Sequence, residues 1–120
     1  MLIIGFSSNT SKIIPRIFCR TPRHCAPIIS VGGTSFIMYQ FVRRGYIAQI
    51  YLNQRAIRLL RANGWCFIVV NMSPPRDILR YTKSAISCVD VCKRAIQIHA
   101  PLIQTPRALY RLLACSNKFQ

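Results

Sequence analysis

Apolar positions along the chain fall into short runs separated by polar or glycine-bearing turns. Residues 2–6 are a short apolar strand. The polar stretch Ser7-Ser8-Asn9-Thr10-Ser11 can cap a helix. Ile13, Ile14, Ile17 and Phe18 then recur at helical spacing, which predicts an amphipathic helix over 12–19, with Pro15 in its first turn and Thr21-Pro22 as its end. Residues 25–30 and 35–42 are strand-like, and Gly32-Gly33 between them supplies the backbone freedom of a tight hairpin. After the turn Arg43-Arg44-Gly45, residues 46–52 form another strand. Asn53 caps a helix with Ala56, Ile57, Leu59 and Leu60 on its apolar face. Asn63-Gly64 stops that helix, and 65–70 is a further core strand.

Ser73-Pro74-Pro75-Arg76 breaks the pattern, and a short polar segment runs on to Lys83. A helix opening near Ser87 carries Cys88, Val91, Cys92, Ala95 and Ile96 on one face, so Cys88 points toward the sheet. Asp90, Lys93, Arg94 and Gln97 fall on the other, and His99 is placed near the C-terminal end of the same helix. Thr105-Pro106 starts a last helix packed through Leu109, Leu112 and Leu113. The pattern predicts one α+β domain over 1–120. It consists of a small antiparallel sheet, built mostly from residues 24–70, with helices at both ends of the chain.

Composition adds charge to this picture. The chain has 17 Lys and Arg against 2 acidic residues, a net +15. Such a field attracts polyanions, whether nucleic acid, anionic lipid or acidic cell-wall polymer. Hydrophobic residues make up 52%, which argues for a folded core. No apolar run has the length of a membrane span, and 1–6 lacks a signal-peptide core, so a cytoplasmic location is expected. Reduced thiols are then the default for Cys19, Cys25, Cys66, Cys88, Cys92 and Cys115, with Cys19, Cys66 and Cys115 read as core. The Cys88 and Cys92 spacing is not that of a zinc site, no phosphate-binding glycine loop is present, and no cofactor or metal is predicted.

The candidate chemistry lies in two segments about sixty residues apart. Arg23-His24-Cys25-Ala26-Pro27-Ile28-Ile29 is a strand opening with histidine. Ser87-Cys88-Val89-Asp90-Val91-Cys92-Lys93-Arg94 is a cysteine starting a helix. Together they supply a thiol, an imidazole to take its proton, and a helix N-terminus that favours the thiolate. Each has a plainer reading: Cys88 as a small buried hydrophobe, His24 as an exposed strand-end histidine beside Arg23. Cys25 adjoins His24 but faces the other side of the strand, which makes it a poor competitor for nucleophile. Pairing across the Gly32-Gly33 hairpin places Gln40 or Phe41 opposite His24, and Gln40 alone of these can accept from an imidazole N–H. A proline at position 27 fits an edge or a bulge. Tyr39, Phe41, Tyr46 and Tyr51 with Arg43 and Arg44 fit either a stacking surface for single-stranded nucleic acid or strand core.

Three segments carry a family resemblance. Ser11-Lys12-Ile13-Ile14-Pro15-Arg16-Ile17-Phe18, followed by Arg23-His24-Cys25-Ala26-Pro27-Ile28, resembles the opening of the circularly permuted papain-like hydrolases, the YiiX-like relatives of the NlpC-type peptidases. There a helix runs into a Ser-His-Val-Gly-Ile strand. Residues 87–98 resemble the family's Asn-Cys-Val-X-X-Val-Lys-Arg helix, and Gln104-Thr105-Pro106-Arg107-Ala108-Leu109-Tyr110 resembles the Thr-Pro-X-X-Leu element that follows it. The resemblance implies a permuted papain-like fold, with Cys88 as nucleophile and His24 as base. It puts the orienting residue on the next strand, where Gln40 stands in place of a frequent carboxylate. Cys25-Ala26-Pro27 also departs from the family's Val-Gly.

The expected function is a thiol hydrolase of amidase, peptidase or acyl-transfer type, acting on an acidic or anionic substrate such as a cell-wall peptide or a lipid head group. The alternative is a non-enzymatic basic protein that binds nucleic acid or another polyanion.

Overall fold

Five runs with β-branched and aromatic residues hydrogen-bond into one antiparallel sheet. They are β1 (Leu2–Ser7), β2 (His24–Ser30), β3 (Ser35–Arg43), β4 (Tyr46–Asn53) and β5 (Cys66–Val70), in the spatial order β4-β3-β2-β1-β5. With helices α1 (Gln54–Ala62), α2 (Ile78–Thr82), α3 (Cys88–Ala95) and α4 (Pro106–Cys115) the fold is α+β. The computed structural model describes residues 1–7 and 23–115. The helix expected over 12–19, the turn over 8–11, Cys19 and the 11–18 part of the family resemblance lie outside them.

Side-chain alternation divides the sheet into two faces, each with its own cover. On one, Leu2, Ile4, Phe6, Cys25, Ile29, Tyr39 and Val70 meet Val89, Cys92, Ala95 and Ile96 of the α3 region and Leu109 and Leu113 of α4. On the other, Ile3, Ala26, Ile28 and Met38 are covered by Leu60 of α1, Trp65 and Phe67. Phe6 is fully buried and meets Tyr110 edge to face at a centroid distance of 5.2 Å. Burying a side chain of this size contributes about 3 kcal/mol and ties β1 to α4.

Local chemistry sets the element ends. Asn53 caps α1 by accepting from the Ala56 N–H at 2.8 Å, as its position before an amphipathic run predicts. Ser87 caps α3 in the same way, accepting from the Asp90 N–H at 3.1 Å. Asp90 reaches back to accept from the Ile86 N–H at 3.1 Å.

The structure corrects several expectations. The polar segment before Lys83 contains α2, whose Ile78 and Thr82 are buried one turn apart; the Thr82 hydroxyl donates to the Ile78 carbonyl, so little apolar signal is needed there. α3 stops at Ala95 and does not reach His99. Gln97 turns to φ 60, while Gln97 and Ile98 donate back to Arg94 and Lys93, a Schellman closure without glycine. Cys25, Cys88, Cys92 and Cys115 are free thiols, but Cys66 is disulfide-bonded rather than reduced, and Cys115 is exposed rather than core.

Pro27 is buried in β2, at the centre of the sheet rather than at an edge or bulge. Proline has no N–H to give a ladder, and the β2–β3 pairing runs only over Ile28, Ile29 and Ser30. From Pro27 back to His24, β2 is paired with β1 alone. The sheet forks at this point, and the fork is where the candidate site lies.

Candidate active site

Three elements bring the predicted residues together. His24 is the first residue of β2, Gln40 lies on β3 beyond the stretch that pairs with β2, and Cys88 is the first residue of α3. α3 packs across β2. Cys88 therefore sits against the sheet at the helix's positive end, partly exposed, as its place on the apolar face predicts.

The His24 Nε2 is hydrogen-bonded to the Gln40 Oε1. Because Oε1 can only accept, the ring carries its proton on Nε2 and leaves Nδ1 for the thiol. Continued past Ile28 and Met38, the β2–β3 register would set Gln40 beside Ala26 rather than His24. Gln40 is thus a diagonal neighbour on the same face of the sheet, two residues from the expected position. Its length lets it reach the imidazole across the fork.

The Cys88 thiol is pushed down to about 4. The largest cause is a hydrogen bond from the Cys25 thiol, opposed by partial burial and reinforced by His24 and by the Cys25 backbone N–H. His24 moves the other way, above its ordinary value, because the Cys88 sulfur accepts from its ring. Burial opposes that rise and Gln40 adds to it. These shifts are complementary, and both favour a thiolate–imidazolium pair. Cys25, buried and hydrogen-bonded to both Cys88 and Cys92, is pushed up and stays a neutral donor.

Cys25 is therefore a hydrogen-bond partner of Cys88, which strand alternation alone missed. Alternation correctly put Cys25 and His24 on opposite faces. α3, however, covers the Cys25 face, and His24 meets Cys88 from the end of its strand. Trp65, read as core, is a second residue that sequence reasoning missed. Its indole meets the His24 ring edge to face at 6.0 Å, stacks on Phe67 at 6.3 Å and lies over Gly5. A Cβ at Gly5 would come within 3.1 Å of the indole, so the missing side chain on β1 makes room for this wall.

The other candidates fall elsewhere. His99 is exposed and outside α3. Tyr39 is buried, whereas Tyr46 and Tyr51 are 54% and 75% exposed on the edge strand β4, so the aromatic set does not form one stacking platform. Among the described residues there is no cluster of three or more His, Cys, Asp or Glu able to hold a metal ion, and no helix long and apolar enough to cross a membrane.

No family model, curated protein or solved structure matches the chain.

Proposed function

We propose that the protein is a cysteine hydrolase or acyltransferase of the permuted papain-like type, acting on an amide or ester. The observation that carries this reading is the chain Cys88–His24–Gln40, in which a lowered thiol, a raised imidazole and an orienting amide stand in order. The Cys88 thiolate attacks the carbonyl carbon, and the carbonyl electron pair moves onto oxygen. Ser87 already takes the Asp90 N–H, which leaves the Cys88 and Val89 N–H groups at the start of α3 to stabilise that oxyanion. His24 gives its proton to the leaving amine or alcohol as the C–N or C–O bond breaks. It then takes a proton from the water, or acceptor hydroxyl, that releases the acyl group from Cys88. Gln40 holds the ring in the required tautomer throughout.

The +15 charge equally supports a basic protein that binds nucleic acid or another polyanion. That reading gives the thiol–imidazole–amide chain no task. The deciding experiment is the rate of Cys88 alkylation by iodoacetamide as a function of pH, with His24→Ala as the comparison. An apparent pKa far below the free-thiol value of about 8.5, rising when His24 is removed, supports the hydrolase. An ordinary titration indifferent to His24 ends it.

A further inference from the structure

Two adjoining cavities of about 440 and 710 Å³ form a groove between the turn at Gly45, joining β3 to β4, and helix α2. Both are lined by Gly45, Arg80 and Lys83; the smaller adds Asp77 and the larger adds Arg44, Ser84 and Ile86. Ile86 is 61% exposed and stands two residues before Cys88, so the groove ends beside the nucleophile's helix.

Among the described residues, little of the charge in this groove is paired. The chain's two acidic residues are Asp77 and Asp90. Asp90 pairs with Arg94 at 3.3 Å, and Arg94 also donates to Ser84 and the Tyr81 carbonyl, so that pair is committed to bracing α3. Asp77 accepts the Arg80 N–H at 3.3 Å as the cap of α2. Among the described residues, the side chains of Arg44, Arg80 and Lys83 have no hydrogen bond or ion pair. Set against Asp77, they leave an excess of two positive charges, which matches a phosphate dianion. Guanidinium groups also suit its oxygens through paired N–H donors.

We infer that this groove is an anion subsite in which Arg44, Arg80 and Lys83 hold a phosphate group of the acyl substrate while its carbonyl lies at Cys88. The link to Cys88 rests on the hydrolase reading; the anion site itself does not.

The test titrates inorganic phosphate into the full chain at constant ionic strength, following backbone amide shifts. It compares Arg80→Gln/Lys83→Gln with Arg55→Gln/Arg58→Gln, an equal loss of charge on α1. Saturable binding that weakens roughly tenfold or more in the first variant, and less than about twofold in the second, is expected for a built site. Absent binding, or equal weakening in both, overturns it. Vesicles of phosphatidylcholine with and without phosphatidic acid identify the source. Stronger binding to the acidic vesicles, lost in the same variant, assigns the phosphate to a lipid; binding of inorganic phosphate alone assigns it to a soluble ester.

Cys88 alkylation by iodoacetate and by iodoacetamide reads the link. The preference for the anionic reagent should fall in the groove variant and not in the α1 variant. If Cys88 titrates as an ordinary thiol while phosphate still binds, the hydrolase reading fails and the anion site stands. If the thiol is activated and phosphate does not bind, the subsite fails alone.

Discussion

At the scale of single residues, the site is a set of hydrogen bonds in which Cys25 and His24 both favour the Cys88 thiolate. Cys88 is held below the unfolded thiol value. The stability it adds is present above that value and is lost as pH falls toward about 4. His24 is raised, so its contribution is present below the ordinary imidazole value of 6.5 and is lost as pH rises through its folded value. The predicted rate of acyl transfer is therefore bell-shaped, with an acid limb near 4 and an alkaline limb above 6.5. A profile with one limb near the free-thiol value would contradict the pair. Cys25→Ala removes the largest cause of the lowered thiol, and the acid limb of alkylation should move up by at least about one unit. Gln40→Ala frees the ring to turn, and hydrolysis should fall by about 10- to 100-fold while Cys88 still alkylates. Gln40→Glu should restore much of the loss and raise the alkaline limb, since a carboxylate favours the imidazolium.

At the scale of elements, the site depends on how α3 begins and ends. Ser87→Ala removes the cap and should cost about 1 kcal/mol in chemical denaturation. It should also slow alkylation at low pH, because the first turn frays where Cys88 sits. At the other end, Gln97 holds φ 60, a backbone state that costs a side-chain-bearing residue roughly 1 kcal/mol. Gln97→Gly should recover much of that and leave the alkylation profile unchanged. The start of α3 was legible because an apolar face at helical spacing begins just after Ser87. Its end was not, because glutamine carries no signal for a left-handed turn. α2 was hidden for a related reason: two inward positions, one of them threonine, give no apolar stripe.

At the scale of the whole molecule, short apolar runs and the turns between them were enough to read the strands of the sheet. The pairing of distant segments was legible only through chemistry, as a thiol on a helix start and an imidazole on a strand start. What the chain could not reveal was which face of β2 receives α3, and that choice made Cys25 a donor rather than a bystander. The groove was also hidden, because Arg44, Arg80 and Lys83 are unremarkable among 17 basic residues until the fold gathers them.

Pro27 also governs how fast parts of the sheet open. Backbone amides of Ile28–Ser30 are gripped by strands on both sides, so their deuterium uptake should wait for cooperative unfolding. Those of Cys25 and Ala26 lie where β2 leans on β1 alone and should exchange through a smaller, more frequent opening. A single missing amide proton thereby gives the base of the site a local breathing mode, separate from the stability of the sheet that carries it.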